Sequence, residues 1–441
     1  MAEDRVQTHD VLAEALHGAR GPYGAALALL DVAAIPDDAG SPLDDPDVRP
    51  DVEDLRAATA NQFGEATDWP SAAERIGQLL LGDLQVGSAA YAVALGIDDA
   101  AHAGFSREWL LDRTAPFELR PGDRYPVQDM ALAGLGKYSS RPHHRGMRSG
   151  DLPHLRRRPP GPEMVMVDPR FGDIVDGLLA GDEIRIAVVL PNADESELAM
   201  DGFPVEAIDT TLQVRRIVRS VERAVAQGCR VIVAPECAVP PQSLDELCGV
   251  ISDASPPPVV FAGSSHQTLP GGERTNLAPV LLGGMREPAW THRKMSRFES
   301  TRSGRTVSED IVLEKPTRIT VVTGAHVRIA AMICKDILDA DRARLVGDLG
   351  IQLLGVPAMS ATTDEFGPSA HELLARSQGI MVVSNNPHRW NSQPVAHGLM
   401  SRPVRSFTER VVPTHDAAPP GLAVGVLQQG WSPFITIDDD E

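Results

Sequence analysis

The chain has no long hydrophobic run, few cysteines and a shortage of positive charge. Its apolar stretches, such as Ile351 to Val356 and Ile329 to Cys334, fall far short of the ~20 residues a membrane span requires, so no transmembrane helix is expected. The opening Met-Ala-Glu-Asp-Arg-Val lacks the basic-then-apolar order of a secretory signal, so a cytoplasmic protein is expected. The four cysteines, Cys229, Cys237, Cys248 and Cys334, are too few and too irregularly spaced for a disulfide framework, and no Cys-x-x-Cys or Cys/His spacing suggests zinc. Reduced thiols follow. With 61 acidic against 41 basic side chains the net charge is -20, which disfavours non-specific binding to nucleic acid or to an anionic membrane.

What is present divides the chain. At 441 residues it exceeds the ~250 to 300 that one core usually reaches, so a main domain with an added piece is expected. Residues 1–135 read as a smaller, mostly helical domain, with helices around 11–16, 25–32, 72–81 and 89–95 and a long acidic, Pro-rich loop of disordered composition at 37–47. No catalytic motif stands out there. Residues 136–165 read as a basic Pro/Arg/His-rich linker; 137–160 carry seven Lys/Arg and one acid, which suits a solvated linker and, as the sharper reading, a contact patch for nucleic acid or an acidic protein partner. Residues 180–430 alternate strand and helix patterns, starting with a strand at 184–190, a helix at 211–227 and a strand at 230–234, and predict a layered α/β domain. Residues 431–441 read as an acidic tail.

Three polar residues stand at the ends of apolar, strand-like runs in this second domain. Glu236 follows Val231-Ile232-Val233-Ala234-Pro235, Lys294 follows Trp290-Thr291-His292-Arg293, and Cys334 ends Ile329-Ala330-Ala331-Met332-Ile333. A thiol with an ordinary pKa of about 8.5 is mostly protonated at neutral pH and needs a base or a nearby cation to act as a nucleophile. Glu236 suits the base and Lys294 the cation that also favours the negative oxygen of a tetrahedral intermediate. The backbone N–H of Lys335, on the turn after Cys334, suits a second donor to that oxygen. Cys229, Cys237 and Cys248 read as small apolar fillers.

These segments resemble the carbon-nitrogen hydrolase, or nitrilase, superfamily over roughly residues 182–428. Val233-Ala234-Pro235-Glu236 is similar to its base segment, His292-Arg293-Lys294 to its lysine segment and Ile333-Cys334-Lys335-Asp336 to its nucleophile segment. Phe261-Ala262-Gly263-Ser264, Thr275-Asn276-Leu277-Ala278, Leu354 to Ala358 and Ala375 to Asn385 extend the match, with separations of 58 and 40 residues between the three polar positions. The resemblance implies a four-layer α-β-β-α sandwich, a homo-oligomer (dimer or larger) and no metal or organic cofactor. It also implies a Glu-Lys-Cys triad that cleaves a non-peptide carbon–nitrogen bond through a covalent thioester. The substrate would be a small-molecule amide or carbamoyl compound rather than a nitrile. A second glutamate between the lysine and the cysteine often positions substrate in such proteins, and Glu309 and Glu314 are both candidates. Lys335 stands where the family usually has an aromatic or small polar residue. Arg297, Arg302 and Arg305, on the segment after Lys294, are candidates for holding a substrate carboxylate or phosphate.

Two competing readings remain. One is a nitrilase-like binding or regulatory module in a larger protein or nucleic-acid assembly, with the N-terminal region as its contact domain. The other is a thiol–imidazole pair of Cys334 with His371 or His388. His371-Glu372 is half of a zinc motif, but Ala375 stands where its second histidine belongs.

Overall fold

A computed structural model describes residues 2–35, 41–66, 68–80, 84–127, 152–180, 183–192, 195–199, 205–302, 305–360, 362–386, 397–402, 411–413, 421–428 and 432–437. The chain divides into two compact units. One holds residues 1–114, 121–128 and 143–160, and the other holds 115–120, 129–142 and 161–441.

The first unit is built on helices Ala2–His17, Pro22–Ala33, Arg49–Glu65, Trp69–Gly77 and Val86–Leu110. The first turn of Pro22–Ala33 has backbone N–H groups that need acceptors, and the Glu108 carboxylate takes those of Tyr23 and Gly24 at 2.9 and 3.1 Å. Helix Arg49–Glu65 crosses Val86–Leu110 at Gly96, where a Cβ would lie 2.6 Å from the Arg56 carbonyl, so only glycine permits the approach. That helix escapes the sequence reading because Val52 and Thr59 are its only fully covered side chains, too sparse for a helical apolar stripe. Of the expected acidic loop, 36–40 lie outside the described residues, while Ser41 caps a short turn at Pro42–Asp44. Residues 136–151 of the basic segment lie outside the described residues too. Its remainder differs from a solvated linker: Leu155–Arg157 pairs antiparallel with Arg124–Pro126, and Arg156 and Arg158 are buried.

In the second unit two eight-stranded sheets lie face to face. The first runs Phe117–Leu119, Met164–Asp168, Arg318–Thr323, Arg328–Ala331, Leu353–Ala358, Ile380–Asn385, Gly398–Ser401 and Val411–Pro413. The second runs Ser265–Thr268, Arg274–Leu282, Val259–Phe261, Cys229–Val233, Glu183–Leu190, Gly421–Gln428 and Ser432–Ile437, with Trp290–Arg293 also paired to Arg274–Leu282. Two-residue alternation sorts the side chains into layers. Ile184, Ile186, Val188, Val231, Val233, Val259 and Phe261 enter the core between the sheets with Ile329, Leu353 and Val382. Their neighbours Ala187, Val189, Ile232 and Val260 face the other way, onto Ile217 and Val221 of helix Thr210–Ala226 and Leu247 and Ile251 of helix Leu244–Ser252. Helices Ala340–Asp348 and Gly367–Ser377 accompany the first sheet, which gives the expected four-layer α-β-β-α sandwich preceded by a helical region. The sheets touch at Gly355, where a Cβ would stand 2.2 Å from the Phe261 ring.

Two boundaries differ from the sequence expectation. Phe117–Leu119 and Met164–Asp168 join the first sheet although both precede residue 180, because backbone pairing Phe117↔Val167 and Val165↔Ile319 draws them in. Ser432–Ile437, expected within an acidic tail, pairs as an edge strand through Leu422↔Ile437, and 438–441 lie outside the described residues. Among the described residues no helix is long and apolar enough to cross a membrane.

Candidate active site

The site forms where the chain leaves both sheets at the same end. After Cys229–Val233 the Glu236 amide donates to the Ala358 carbonyl at 3.2 Å, and after Arg328–Ala331 the Cys334 amide donates to the Pro357 carbonyl at 2.8 Å, so two turns hang on one strand of the first sheet. Lys294 leaves Trp290–Arg293 with its amide on the Asn276 carbonyl at 2.9 Å. Asp336 joins the lysine and cysteine segments: it accepts from the Met295 and Ser296 amides at 2.9 and 2.8 Å, from the Ile333 amide at 3.3 Å and lies 3.0 Å from His292 Nε2. Cys334 is the residue before helix Lys335–Leu338 and has φ 44°, a left-handed backbone that a non-glycine residue adopts only under constraint from its surroundings. The Lys335 N–H, the first of that helix, has no hydrogen-bond partner among the described residues.

The side chains converge. Lys294 Nζ lies 2.6 Å from Glu236 Oε1 and 2.7 Å from Glu309 Oε2, with all three groups buried. Asn276 Nδ2 donates to Glu236 Oε1 at 2.9 Å and to Glu309 Oε1 at 3.2 Å. Glu309 also accepts from the Phe298 amide and pairs with His266 Nε2, both at 2.9 Å. The buried thiol of Cys334 meets the Glu236 carboxylate and the Met359 amide and feels the charge of the Lys294 ammonium. Asn386 anchors the glutamate turn from the rear through Nδ2 to the Glu236 carbonyl at 3.0 Å, and Asn192 Nδ2 holds Asn386 Oδ1 at 2.9 Å.

These contacts set the ionisation of each group. Burial raises the Glu236 carboxyl above the ordinary carboxylate range; Lys294 opposes the shift and the neighbouring Glu309 charge adds to it. Burial acts on Glu309 in the same sense, but hydrogen bonds from His266, Lys294 and the Phe298 amide overcome it and bring this carboxyl down to about 2. Burial disfavours the Lys294 ammonium, yet two adjacent carboxylates hold it well above the ordinary lysine value. Burial and the Glu236 charge push the Cys334 thiol far up, against the pull of Lys294, so it rests protonated. The arrangement can pass a proton from that thiol to the adjacent carboxylate and place an ammonium beside a developing negative charge.

Of the two candidate second glutamates, only Glu309 reaches this cluster. Glu314 lies apart, paired with Arg318 at 3.3 Å on the surface. Arg297 is exposed and spends its Nε on the Ile311 carbonyl at 2.9 Å. Arg302 and Arg305 sit in the paired strands Glu299–Arg302 and Arg305–Ser308, and their side chains lie outside the described residues. His388 lies outside them as well, and His371 stands on helix Gly367–Ser377 beside Glu372, which pairs with Arg376. His266 and Asn386 are not legible in the sequence, since an isolated histidine in a Ser-Ser-His-Gln segment and an asparagine far along the chain carry no spacing signal. Cys237, expected as an apolar filler, packs with Leu198 and Val205 and also faces an imidazole: its Sγ lies 3.8 Å from His266 Nδ1.

Residues 197–381, which hold Glu236, Lys294, Glu309 and Cys334, match the family model described as carbon-nitrogen hydrolase. A sequence search of curated proteins finds no match. Among solved structures, the chain is similar to Nit3 of Saccharomyces cerevisiae, a member of branch 10 of the nitrilase superfamily, at 14% identity and TM-score 0.40 over 59% of this chain and 92% of that one. It is also similar to an amidase from Nesterenkonia sp., at 18% identity and TM-score 0.40 over 57% of this chain and 92% of that one. A mutant of the Nesterenkonia amidase with the acetamide moiety of fluoroacetamide added covalently at the active site cysteine aligns at 18% identity and TM-score 0.40, over 56% of this chain and 91% of that one.

Proposed function

We propose that this chain hydrolyses a non-peptide carbon–nitrogen bond in a small amide or carbamoyl compound, with Cys334 as nucleophile, Glu236 as base and acid, and Lys294 as the cation beside the reacting oxygen. The observation that carries this reading is the placement of one buried ammonium between two carboxylates, with a thiol against one of them. The family match over 197–381 supports it.

The charges assign the steps. Because Cys334 rests as a thiol, its proton passes to Glu236 as sulfur attacks the carbonyl carbon, so no free thiolate has to persist in the buried site. The carbonyl oxygen becomes negative and is met by Lys294 and by the Lys335 N–H, donors of a kind whose removal costs about 3 to 4 kcal/mol in acyl transfer. Glu236 then returns the proton to the nitrogen, the carbon–nitrogen bond breaks, and ammonia or an amine leaves a thioester on Cys334. Water attacks that thioester with Glu236 again as base, which releases the acid and restores the thiol. Glu309, held ionised, keeps Lys294 charged and in place throughout.

A panel of amides, carbamoyl compounds and nitriles tests the reading through ammonia or amine release. Turnover on an amide or carbamoyl compound is expected, and Cys334→Ala should lower it by about 10⁴-fold or more. No turnover across the panel, together with no acyl adduct on Cys334 by intact mass, would overturn it.

A further inference from the structure

The thiol next to Glu236 has a base of its own. Cys237 Sγ lies 3.8 Å from His266 Nδ1, and the other ring nitrogen, Nε2, lies 2.9 Å from Glu309 Oε1. This is the chain of contacts that nucleophilic catalysis needs: a thiol within reach of an imidazole, and the imidazole oriented by a third group. Both partners of the imidazole are fixed. The His266 and Glu309 side chains are 2% and 1% exposed, so neither the ring nor the carboxylate has room to turn away. Cys237 and His266 together line a cavity of about 350 Å³ whose walls include Val205, Thr210, Gln213, Val239, Pro240 and Gln267, a volume within the range of small-ligand sites.

A second feature sets Cys237 apart from Cys229 and Cys248. Only four non-glycine residues among those described have a left-handed backbone, and two of them are Cys237, at φ 57°, and Cys334, at φ 44°. Such backbone is costly for a residue with a Cβ and persists where the surroundings impose it, often at functional turns. The Cys237 amide is held by Ser264 Oγ at 3.4 Å, and the turn packs on Gly263, where a Cβ would meet the Pro235 carbonyl at 2.4 Å. Cys229 and Cys248 sit in the core between the second sheet and its helices with no imidazole beside them in any described contact, whereas Cys237 packs with Leu198 and Val205 in a small apolar cluster at the cavity.

We propose that Cys237, His266 and Glu309 form a second nucleophilic site, entered from the cavity that Cys237 lines, which accepts the acyl group of a small activated ester or thioester. Sulfur forms a bond to the acyl carbon, the carbon–oxygen or carbon–sulfur bond to the leaving group breaks, and the thiol proton passes through His266 Nδ1 to the departing alkoxide or thiolate. Water then attacks acyl-Cys237, with His266 taking its proton, and the released acid restores the thiol. Burial and the Glu236 charge keep Cys237 protonated at rest, as they do Cys334, so in both cases the proton leaves as the new bond forms. Glu309 serves both sites, with Oε2 on Lys294 and Oε1 on His266.

The test uses p-nitrophenyl acetate on the full chain carrying Cys334→Ala, which removes the other nucleophile and makes the outcome independent of carbon–nitrogen hydrolysis. Release of p-nitrophenolate and a single acetyl adduct mapped to Cys237 after acid quench are expected. Cys237→Ser in the same background should abolish the adduct, and His266→Ala should slow it by about 10²-fold, the contribution of a positioned base. Folding of each variant is checked by thermal melting. If any of these variants does not fold, peptide mapping of the unaltered protein decides, with acetylation of Cys237 as well as Cys334 expected. No adduct on Cys237, equal labelling of Cys229 and Cys248, or a rate indifferent to His266 would overturn the proposal.

Discussion

Glu236 and Glu309 flank the same ammonium at 2.6 and 2.7 Å, and their surroundings drive them apart. Glu309 accepts from Lys294, His266, Asn276 and the Phe298 amide, whereas Glu236 accepts from Lys294 and Asn276 and otherwise faces the Cys334 thiol. Burial pushes both carboxyls up. The larger set of donors carries Glu309 down to about 2, and the smaller set leaves Glu236 raised. Distance to a cation therefore does not decide which way each of two buried carboxyls is shifted. The number of donors aimed at each one does, and the group left under-solvated is the one next to the nucleophile.

The comparison can be broken from either side. Glu236→Gln keeps the shape of the raised carboxyl and removes its proton transfer, so turnover should fall by about 10² to 10⁴-fold while thermal melting changes little. Lys294→Met removes the group both carboxyls share. It should lower turnover by about 10² to 10³-fold, and, by leaving two buried carboxylates face to face, cost about 3 to 5 kcal/mol in denaturant unfolding at neutral pH.

Glu309→Gln sharpens the contrast rather than abolishing it, because Lys294 is then misplaced but not lost, and a decrease of about 10²-fold in kcat is expected. The Glu309 charge raises Glu236 in the intact site, so its removal should move the acid limb of the kcat/KM profile to lower pH. Stability gives a second readout. Ionised Glu309, depressed from 4.5 to about 2, contributes stability that is present above 4.5 and lost as pH falls toward 2. Glu236 has the opposite sign: its contribution is present below 4.5 and lost as pH rises through its raised folded value. Melting temperature against pH should accordingly drop less steeply between 4.5 and 2 in Glu309→Gln than in the unaltered chain. The smallest effect belongs to Glu314→Gln, which breaks only a surface pair with Arg318; turnover should be unchanged and stability should move by about 1 kcal/mol or less.

The strands that frame the site were legible because their apolar residues alternate or run continuously over four to eight positions, as in 184–190 and 380–383. The helix at 210–226 was legible for the same reason, with Ile217 and Val221 spaced by one turn. Short pairings such as Phe117–Leu119 with Met164–Asp168 were not, since three to five residues hold no period and the partner decides the structure. At the site, Glu236, Lys294 and Cys334 are marked in the sequence by polar residues ending apolar runs. Glu309 and Glu314 look alike there, five positions apart with no neighbouring signal, and they separate only when Phe298, His266 and Asn276 converge on one of them.

The sequence by itself determined the layered α/β plan, the helical N-terminal region and three chemically matched residues in order, because hydrophobic period and residue type are local properties. Tertiary structure alone decided which glutamate stands beside Lys294, that Cys237 meets an imidazole as well as packing with Leu198 and Val205, and that two carboxyls on one ammonium are shifted in opposite directions. Each of these depends on how many donors reach a buried group from strands distant in the chain, and burial is what turns such a count into a large difference in charge.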